Sequence, residues 1–461
     1  MTSPLPDRRE HWGSRLGFLL AAAGSAIGLG NLWGFPYKAA SHGGAAFVLV
    51  YLVVILLVAL PLLLAELVIG RQTGESPVLA LVRLGGPRWR WLGYAFVANA
   101  VMILAFYSVV TGWTLLCFGR TLVLGLPTDP AAFFAGISQG PQAVLGHLLA
   151  MALTALVIGG GVRAGIERLS LWFMPLLFLV LVALALWAST LSGAGAGYRF
   201  YLQPDFSDLL RWPMITAAAG HAFFSLSVGM GAMVTYASYL RGQENLVRLG
   251  GSIALADTAV ALVGGLITFP LVAHFQLLDR LSDSTIGTLF VAIPSGMVSL
   301  GPLGRPIAVF FFLVLAIAAL TSAVSLLEVA TAGLIDRLGW SRRRATLVAG
   351  LAVTLLGLLP ALDNRWIDVF YSLFGEAVLL FGGLMMALLL GWLHPALGRQ
   401  ELSVGFAGGS GAEGWPQTWR TSWPIVWWMR LLRFIAVPML VVLLWQSLAH
   451  LPAVLRPLLA P

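Results

Sequence analysis

Gly24-Ser25-Ala26-Ile27-Gly28-Leu29-Gly30-Asn31 and, about 200 residues further on, Ser225-Leu226-Ser227-Val228-Gly229-Met230-Gly231 each interrupt a long apolar run near its middle. Glycine at such density loosens a helix, because it lacks a Cβ and gives up more backbone freedom on ordering than any other residue. The two stretches open successive halves of five apolar runs each. Matched interruptions in two halves of a membrane chain point to a binding site at the half-membrane level. An odd number of spans per half leaves the second half upside down relative to the first.

The rest of the chain supports a membrane setting. Of its 461 residues 59% are hydrophobic and 10% charged, and its mean hydropathy is +0.90. A water-surrounded domain carries about 25% charged residues. Runs near the ~20 residues needed to cross hydrocarbon recur throughout, and they lack the alternation of barrel strands, so helices must carry the crossings. Eleven spans are predicted: 16–40, 45–69, 91–124, 144–162, 169–191, 212–240, 249–275, 307–335, 345–362, 367–393 and 425–448. The polar N-terminal stretch is followed by a glycine-broken run with another run close behind, which reads as a retained span rather than a cleaved leader.

The chain is thus expected to be a single all-α transport domain. Its parts are an N-terminal tail (1–15), a first repeat (16–191), an inverted second repeat (212–393), a connector (394–424), an added span (425–448) and a short tail (449–461). The segment 280–304 is expected to fold as a partly helical cap. Loops on the N-terminal side hold 19 Lys and Arg and the opposite loops 8. That asymmetry places the N-terminus in the cytoplasm and the C-terminus outside, in a multi-pass plasma-membrane protein. The basic residues form no stripe with interleaved aromatics, so nucleic acid is not an expected partner. The single Cys117 excludes an intramolecular disulfide. The 7 His are scattered and no His-Glu-x-x-His run occurs, so an embedded enzyme is disfavoured.

At finer scale, Arg9-Glu-His-Trp12-Gly-Ser-Arg15-Leu-Gly-Phe18 and Gly28-Leu-Gly30-Asn31-Leu-Trp-Gly-Phe35-Pro36-Tyr37 resemble the opening signature of the neurotransmitter:sodium symporter family, bacterial amino-acid branch. Glu66-Leu-Val-Ile-Gly70-Arg71, Gly165-Ile-Glu-Arg168, Pro204-Asp205-Phe206, Phe223-Phe224-Ser225-Leu-Ser227, Thr235-Tyr-Ala-Ser-Tyr239 and Leu320-Thr321-Ser322 follow in the family's order over nearly the whole chain. The resemblance implies the 5+5 inverted-repeat fold, with spans 1 and 6 broken, and sodium-coupled symport by alternating access.

It also implies a site. Half-helix N-termini would point N–H groups at an amino-acid carboxylate, and unwound carbonyls would accept from its ammonium. Substrate contacts are expected from Ser25, Ala26, Leu29, Gly30, Ile103, Tyr107, Phe224, Ser225, Ser227, Met230, Ser322 and Leu326. Phe224 is the lid and Tyr107 helps hold the carboxylate. No charged side chain is placed to meet the substrate's own side chain, so hydrophobic L-amino acids, branched or aromatic, are expected. Two sodium ions, hard cations that favour oxygen, are implied. The first would be held by Ala26, Asn31, Ser225 and Asp257, together with the substrate carboxylate. The second would be held by Gly24, Ile27, Ala318, Thr321 and Ser322. Thr321 and Ser322 also admit a plainer reading, as hydroxyls bonded to their own helix. Asp257 stands where animal members carry Asn and need chloride, and Ala261 one turn on cannot help hold an anion. Chloride-independent transport follows as an expectation.

For the gates, the resemblance implies an inner pair of Arg9 with Asp336, beside Trp12 and Tyr239. At the outer gate Gly34 replaces an Arg common in relatives. Lys38, the only lysine, is then either a substitute facing Asp368 or a surface residue at a helix end. Gly165 and Pro175, enclosing nine residues, resemble a helix-unwinding motif that could admit water to the second ion. His221 and Glu376 are intramembrane polar groups, either structural or proton-carrying. A same-fold carrier of an amine or osmolyte, or a receptor that does not transport, are the competing readings.

Overall fold

A computed structural model describes residues 10–206, 211–240, 244–276, 285–407 and 423–459. Arg9, half of the expected inner gate, lies outside these residues, as do residues 408–422 of the predicted connector. Among the described residues all regular structure is helical. The helices are α1 (Arg15–Ala26), α2 (Gly30–Ser41), α3 (Ala45–Thr73), α4 (Pro77–Gly85), α5 (Pro87–Leu124), α6 (Pro130–Ile137), α7 (Pro141–Gly159), α8 (Val162–Ser189) and α9 (Ala194–Leu202). They continue as α10 (Trp212–Ser225), α11 (Ala232–Ala237), α12 (Leu246–His274), α13 (Thr288–Ser299), α14 (Gly301–Leu338), α15 (Arg342–Leu362), α16 (Arg365–Leu393), α17 (Pro395–Ala407) and α18 (Ile425–Arg456).

Nine of these are long and apolar enough to cross a membrane alone, and α1 with α2, bent by 60°, makes a tenth. The helices α10 and α11, each shorter than a span, lie between α8 and α12 and are separated by the second break. We call the face where α1 begins the lower face and the other the upper.

The breaks have local causes. Ser14 starts α1 by accepting from Gly17 N–H at 2.9 Å. The helix stops at Ile27, whose ψ of 98° is extended. Between α10 and α11, Gly229 (φ 89°) and Gly231 (φ 76°) take a left-handed conformation, and Ser227 joins them at φ 53°. A Cβ on Gly229 would stand 2.1 Å from the Leu379 carbonyl oxygen of α16, so chain direction and packing both require glycine there.

Around the broken helices stands a scaffold of continuous ones. Where α5 crosses α7, a Cβ on Gly112 would lie 2.4 Å from the Gly146 backbone, the close approach that small residues permit in membranes. Beside it His147 meets Ser108 Oγ of α5 at 2.9 Å and the Thr354 carbonyl of α15 at 3.0 Å, tying three helices with one buried ring.

Two expectations needed adjustment. The stretch after 394 continues as helix through Ala407, because Glu401 of α17 bonds Arg71 Nε of α3 at 2.9 Å and so docks the segment on the lower face. Within the expected cap, 288–299 is helical, while 277–284 lie outside the described residues.

Candidate functional site

The two breaks meet at the centre of the molecule. Ser227 Oγ, in the second break, donates to the Ser25 carbonyl in the first at 2.9 Å, and Ser322 Oγ of α14 approaches the same carbonyl at 3.3 Å. A side chain on Gly28 has no room: its Cβ would lie 2.9 Å from Ser322 Oγ and 3.1 Å from Tyr107 Oη. The bare backbone there lets Leu29 N–H donate to Tyr107 Oη at 3.3 Å.

These groups enclose a small cavity of about 30 Å³. Ser25, Ala26, Gly30, Ile103, Tyr107, Phe224, Ser225, Ser227, Met230, Ser322 and Leu326 all line it, together with Gly28 and Asn31. Of the expected substrate contacts only Leu29 is placed elsewhere, in the wall of the vestibule above. That vestibule measures about 300 Å³ and shares Gly30, Tyr107 and Phe224 with the lower cavity. The Phe224 ring forms the partition, packed edge-on to Tyr371 at 5.5 Å.

On one side of the cavity lies a buried polar cluster. Asn31 Nδ2 approaches Asp257 Oδ1 at 2.7 Å, the Asp257 carbonyl at 3.0 Å and Ser225 Oγ at 3.0 Å. Ser225 Oγ in turn reaches the two Asp257 carboxylate oxygens at 3.0 and 2.9 Å. Asp257 is 0% exposed. Three residues far apart in the chain, with Ala26 on the adjoining cavity wall, thus place a carboxylate and several neutral oxygens around one point. Hard cations are held by donors of this type.

The second expected set also converges. Ser322 Oγ is 3.4 Å from the Ile27 carbonyl, and a Cβ on Gly24 would stand 3.3 Å from Thr321 Cβ. Thr321 Oγ1 bonds back to the carbonyls of Ile317 and Ala318 at 3.0 and 3.1 Å. Both readings of the Thr-Ser pair are therefore present: Thr321 serves its own helix, whereas Ser322 reaches across.

Gly165 lies in a π-helical turn, Val162–Glu167, and a Cβ on it would stand 1.9 Å from the Val157 carbonyl oxygen. Pro175 sits inside the same helix α8, which is continuous here. Met174, one residue before it, faces Gly24, whose Cβ would be 3.0 Å from the sulfur.

Below the cavity, contacts among the described residues tie α1, α11, α14 and α15 together, around a lower cavity of about 410 Å³. Trp12 Nε1 donates to the Tyr236 carbonyl at 2.9 Å, and Trp12 N–H to the Tyr239 carbonyl at 3.3 Å. Tyr239 Oη donates to Glu328 at 2.6 Å. Arg342 grips the wholly buried Glu328 with two bonds, at 2.8 and 3.0 Å, and Glu10 at 2.7 Å. Asp336 accepts from Ser76 N–H at 2.7 Å. Glu10, Glu328 and Arg342 were missed by sequence reasoning, although a carboxylate within the eighth span was itself the signal. Glu66 is a second omission: it is 0% exposed and accepts from Gly229 N–H at 2.6 Å, holding the second break in shape. Above, Lys38 and Asp368 line the same vestibule without forming an ion pair among the described residues.

Comparison with known proteins agrees with this architecture. Residues 9–132 and 136–447 match the model of the sodium:neurotransmitter symporter family. The chain belongs to that family. As a symporter it is 40% identical over 356 residues to an uncharacterized sodium-dependent transporter of Bacillus subtilis, covering 75% of this chain and 77% of the relative. An uncharacterized sodium-dependent transporter of Haemophilus influenzae is 30% identical over 95% of this chain and 98% of its own. The crystal structure of MhsT in complex with L-phenylalanine superposes with a TM-score of 0.81 at 36% identity, covering 95% of this chain and 99% of that one. The symporter is therefore a sodium-dependent, multi-span membrane transporter with the inverted-repeat fold.

Proposed function

We propose that this symporter carries neutral, hydrophobic L-amino acids into the cell with two sodium ions and without chloride. The observation that carries the reading is the central cavity, where two helix breaks meet and whose lining residues Asn31 and Ser225 bond a buried carboxylate behind the wall. No Asp, Glu, Lys or Arg side chain lines that cavity, so a charged substrate side chain would lie there uncompensated, at a cost of several kcal/mol. Ile103, Met230 and Leu326 offer apolar walls, and Phe224 separates them from the vestibule. That MhsT binds L-phenylalanine supports an aromatic or branched substrate.

The substrate carboxylate would take the N–H groups at Leu29 and Gly30, the first of them now bonded to Tyr107 Oη, and the ammonium would face the carbonyls of the breaks. Ala26, Asn31, Ser225 and Asp257 would hold the first sodium against that carboxylate, so that each ligand raises the affinity of the other. Asn31 presents its amide nitrogen to Asp257. A cation between them would require that amide to turn over and offer oxygen instead. Gly24, Ile27, Ala318, Thr321 and Ser322 would hold the second sodium. Asp257 supplies the negative charge for which animal relatives need chloride.

Residues 16–191 and 212–393 are taken as the two repeats, with the lower face cytoplasmic and the C-terminus outside. The contacts of Trp12, Glu10, Arg342 and Glu328 below the central cavity and the vestibule above it suit a state that receives substrate from outside. Inward opening would break the Trp12 and Glu10–Arg342–Glu328 contacts and unwind α8 between Gly165 and Pro175, letting water reach the second ion.

Proteoliposomes test the reading directly. An imposed sodium gradient should drive uptake of L-phenylalanine or L-leucine. Uptake should survive replacement of chloride by gluconate, and aspartate and lysine should fail to compete. Uptake that needs chloride sinks the role given to Asp257. Binding of an amine or osmolyte in preference to every amino acid, or binding with no flux, sinks the substrate assignment.

A further inference from the structure

Ser14-Arg15-Leu16-Gly17 opens the first span with a capping box that lacks its acid. In that motif the N-cap hydroxyl accepts from the backbone N–H three residues on, and a Glu or Gln at that third position reaches back to the N–H ahead of the helix. Ser14 plays its part, accepting from Gly17 N–H at 2.9 Å, but Gly17 has no side chain to return. The carboxylate comes instead from another helix. Glu167 of α8 accepts from Gly13 N–H at 2.6 Å and from Ser14 Oγ at 2.7 Å. A Cβ on Gly17 would stand 2.1 Å from Glu167 Oε1 and 2.4 Å from Glu167 Cγ. Glu167 therefore fills the space that a glutamate borne by α1 itself would occupy.

Glu167 is buried, and the donors at Gly13 and Ser14 together with the positive end of α1 offset its charge. The exchange runs the other way as well. Glu10, ahead of α1, accepts from Val162 N–H at the start of α8, beside Gly161, whose φ of 85° precedes that helix. Seven residues further along each helix a second contact follows: a Cβ on Gly24 of α1 would lie 3.0 Å from Met174 Sδ of α8. Seven residues are about two helical turns, so the two helices run side by side from their lower ends to the first break. Glu167 also ends the π-helical turn Val162–Glu167, inside the stretch from Gly165 to Pro175.

We infer that Glu167 is a positioning residue that makes the release of α1 part of the unwinding of α8, by completing the α1 capping box in trans. The box is whole only while the first turn of α8 is wound. When that turn opens, the carboxylate leaves Gly13 and Ser14, α1 loses its cap, and the wall of the second ion site at Gly24 loses its support from Met174. An α1 that moves away first takes Glu10 from Val162 and loosens α8 in turn. Sodium bound between α1 and α14 holds both helix starts shut, and its loss frees them as one unit. A glutamate on α1 would have left that helix capped whatever α8 did. Glu167 touches neither substrate nor ion, and the inference rests on the inward-opening step of the carrier reading above.

Hydrogen–deuterium exchange of the full chain, read by mass spectrometry across a sodium titration, follows residues 13–20 and 162–170 separately, because exchange reports opening segment by segment. In the parent, sodium should slow both segments with one half-saturation. Glu167→Gln replaces charge-assisted bonds with neutral ones about half as strong, and both segments should exchange about tenfold faster. The transfer Gly17→Glu with Glu167→Ala puts the box on α1 alone. Residues 13–20 should then regain the parent's protection while 162–170 stay fast, and Vmax for L-phenylalanine uptake should fall severalfold at an unchanged KM. A merely structural role for Glu167 predicts two segments that stay fast together or recover together.

Different sodium half-saturations for the two segments in the parent, parental exchange in Glu167→Gln, or a transfer variant whose segments still move together or whose Vmax equals the parent's overturns the inference. Should either variant fail to assemble, the parent's titration and the remaining variant decide. If sodium leaves residues 162–170 unaffected in the parent, the unwinding step of the carrier reading has failed, and the inference falls with it.

Discussion

Asp257→Asn is the substitution whose consequence the structure defines most closely. Asp257 accepts from Asn31 Nδ2 at 2.7 Å and from Ser225 Oγ at 3.0 and 2.9 Å, and it is wholly buried. An asparagine can keep its carbonyl toward Asn31 and turn its amide toward Ser225, whose oxygen accepts. The bonding survives in neutral form, and charge-assisted bonds are roughly twice as strong as neutral ones. The folding cost should therefore be about 1 kcal/mol.

A cation beside the residue loses far more. A unit charge about 4 Å away at an effective dielectric of about 20 is worth about 4 kcal/mol, and an uncharged amide dipole with a lower desolvation cost returns part of it. A net loss of about 1.4 to 2.8 kcal/mol is a 10- to 100-fold weaker sodium affinity.

Sodium-dependent thermal stabilisation of purified protein reads this directly. For a parent Kd of about 10 mM, about 100 mM sodium stabilises by about 1.4 kcal/mol, and a 100-fold weaker site by less than about 0.1 kcal/mol. The variant should lose the first ion's share of this stabilisation and keep only that of the second site. A variant that folds normally and keeps the parent's full sodium-dependent stabilisation refutes the role assigned to Asp257.

Tyr107→Phe removes the hydroxyl bonded to Leu29 N–H. KM should rise about tenfold with Vmax little changed, read as initial uptake rates. Ser322→Ala deletes the one hydroxyl of its pair that reaches the carbonyls of Ser25 and Ile27. The sodium dependence of uptake should then lose its sigmoid shape, and a Hill coefficient equal to the parent's would remove Ser322 from the second ion site. Gly229→Ala forces a side chain onto φ 89° and into the Leu379 carbonyl; a loss of more than about 3 kcal/mol, seen as lost monodisperse protein, is expected. Glu328→Gln leaves Arg342 with only Glu10. Breaking a buried pair this way costs about 3–5 kcal/mol, so a cysteine placed behind Trp12 should become reactive from the lower face, and unchanged reactivity would show that this network is not a gate.

The sequence by itself determined the membrane class, the helical fold and the level of the site. Those follow from composition and from glycine, whose effects are local: hydrocarbon demands internally bonded helices, and Gly28 and Gly229 stand where the chain leaves helical geometry. The family's motifs then named most residues that line the cavity, because motif and break coincide in the chain. Tertiary structure decided which distant polar groups meet. Glu328 and Arg342 are separated by a turn between helices, and only packing shows that they share bonds with each other, with Tyr239 and with Glu10. The π-helical winding of Tyr371–Val378 likewise has no signature in the residues themselves. Periodicity assumes 3.6 residues per turn, and a single widened turn re-aims a side chain without changing a letter of the sequence.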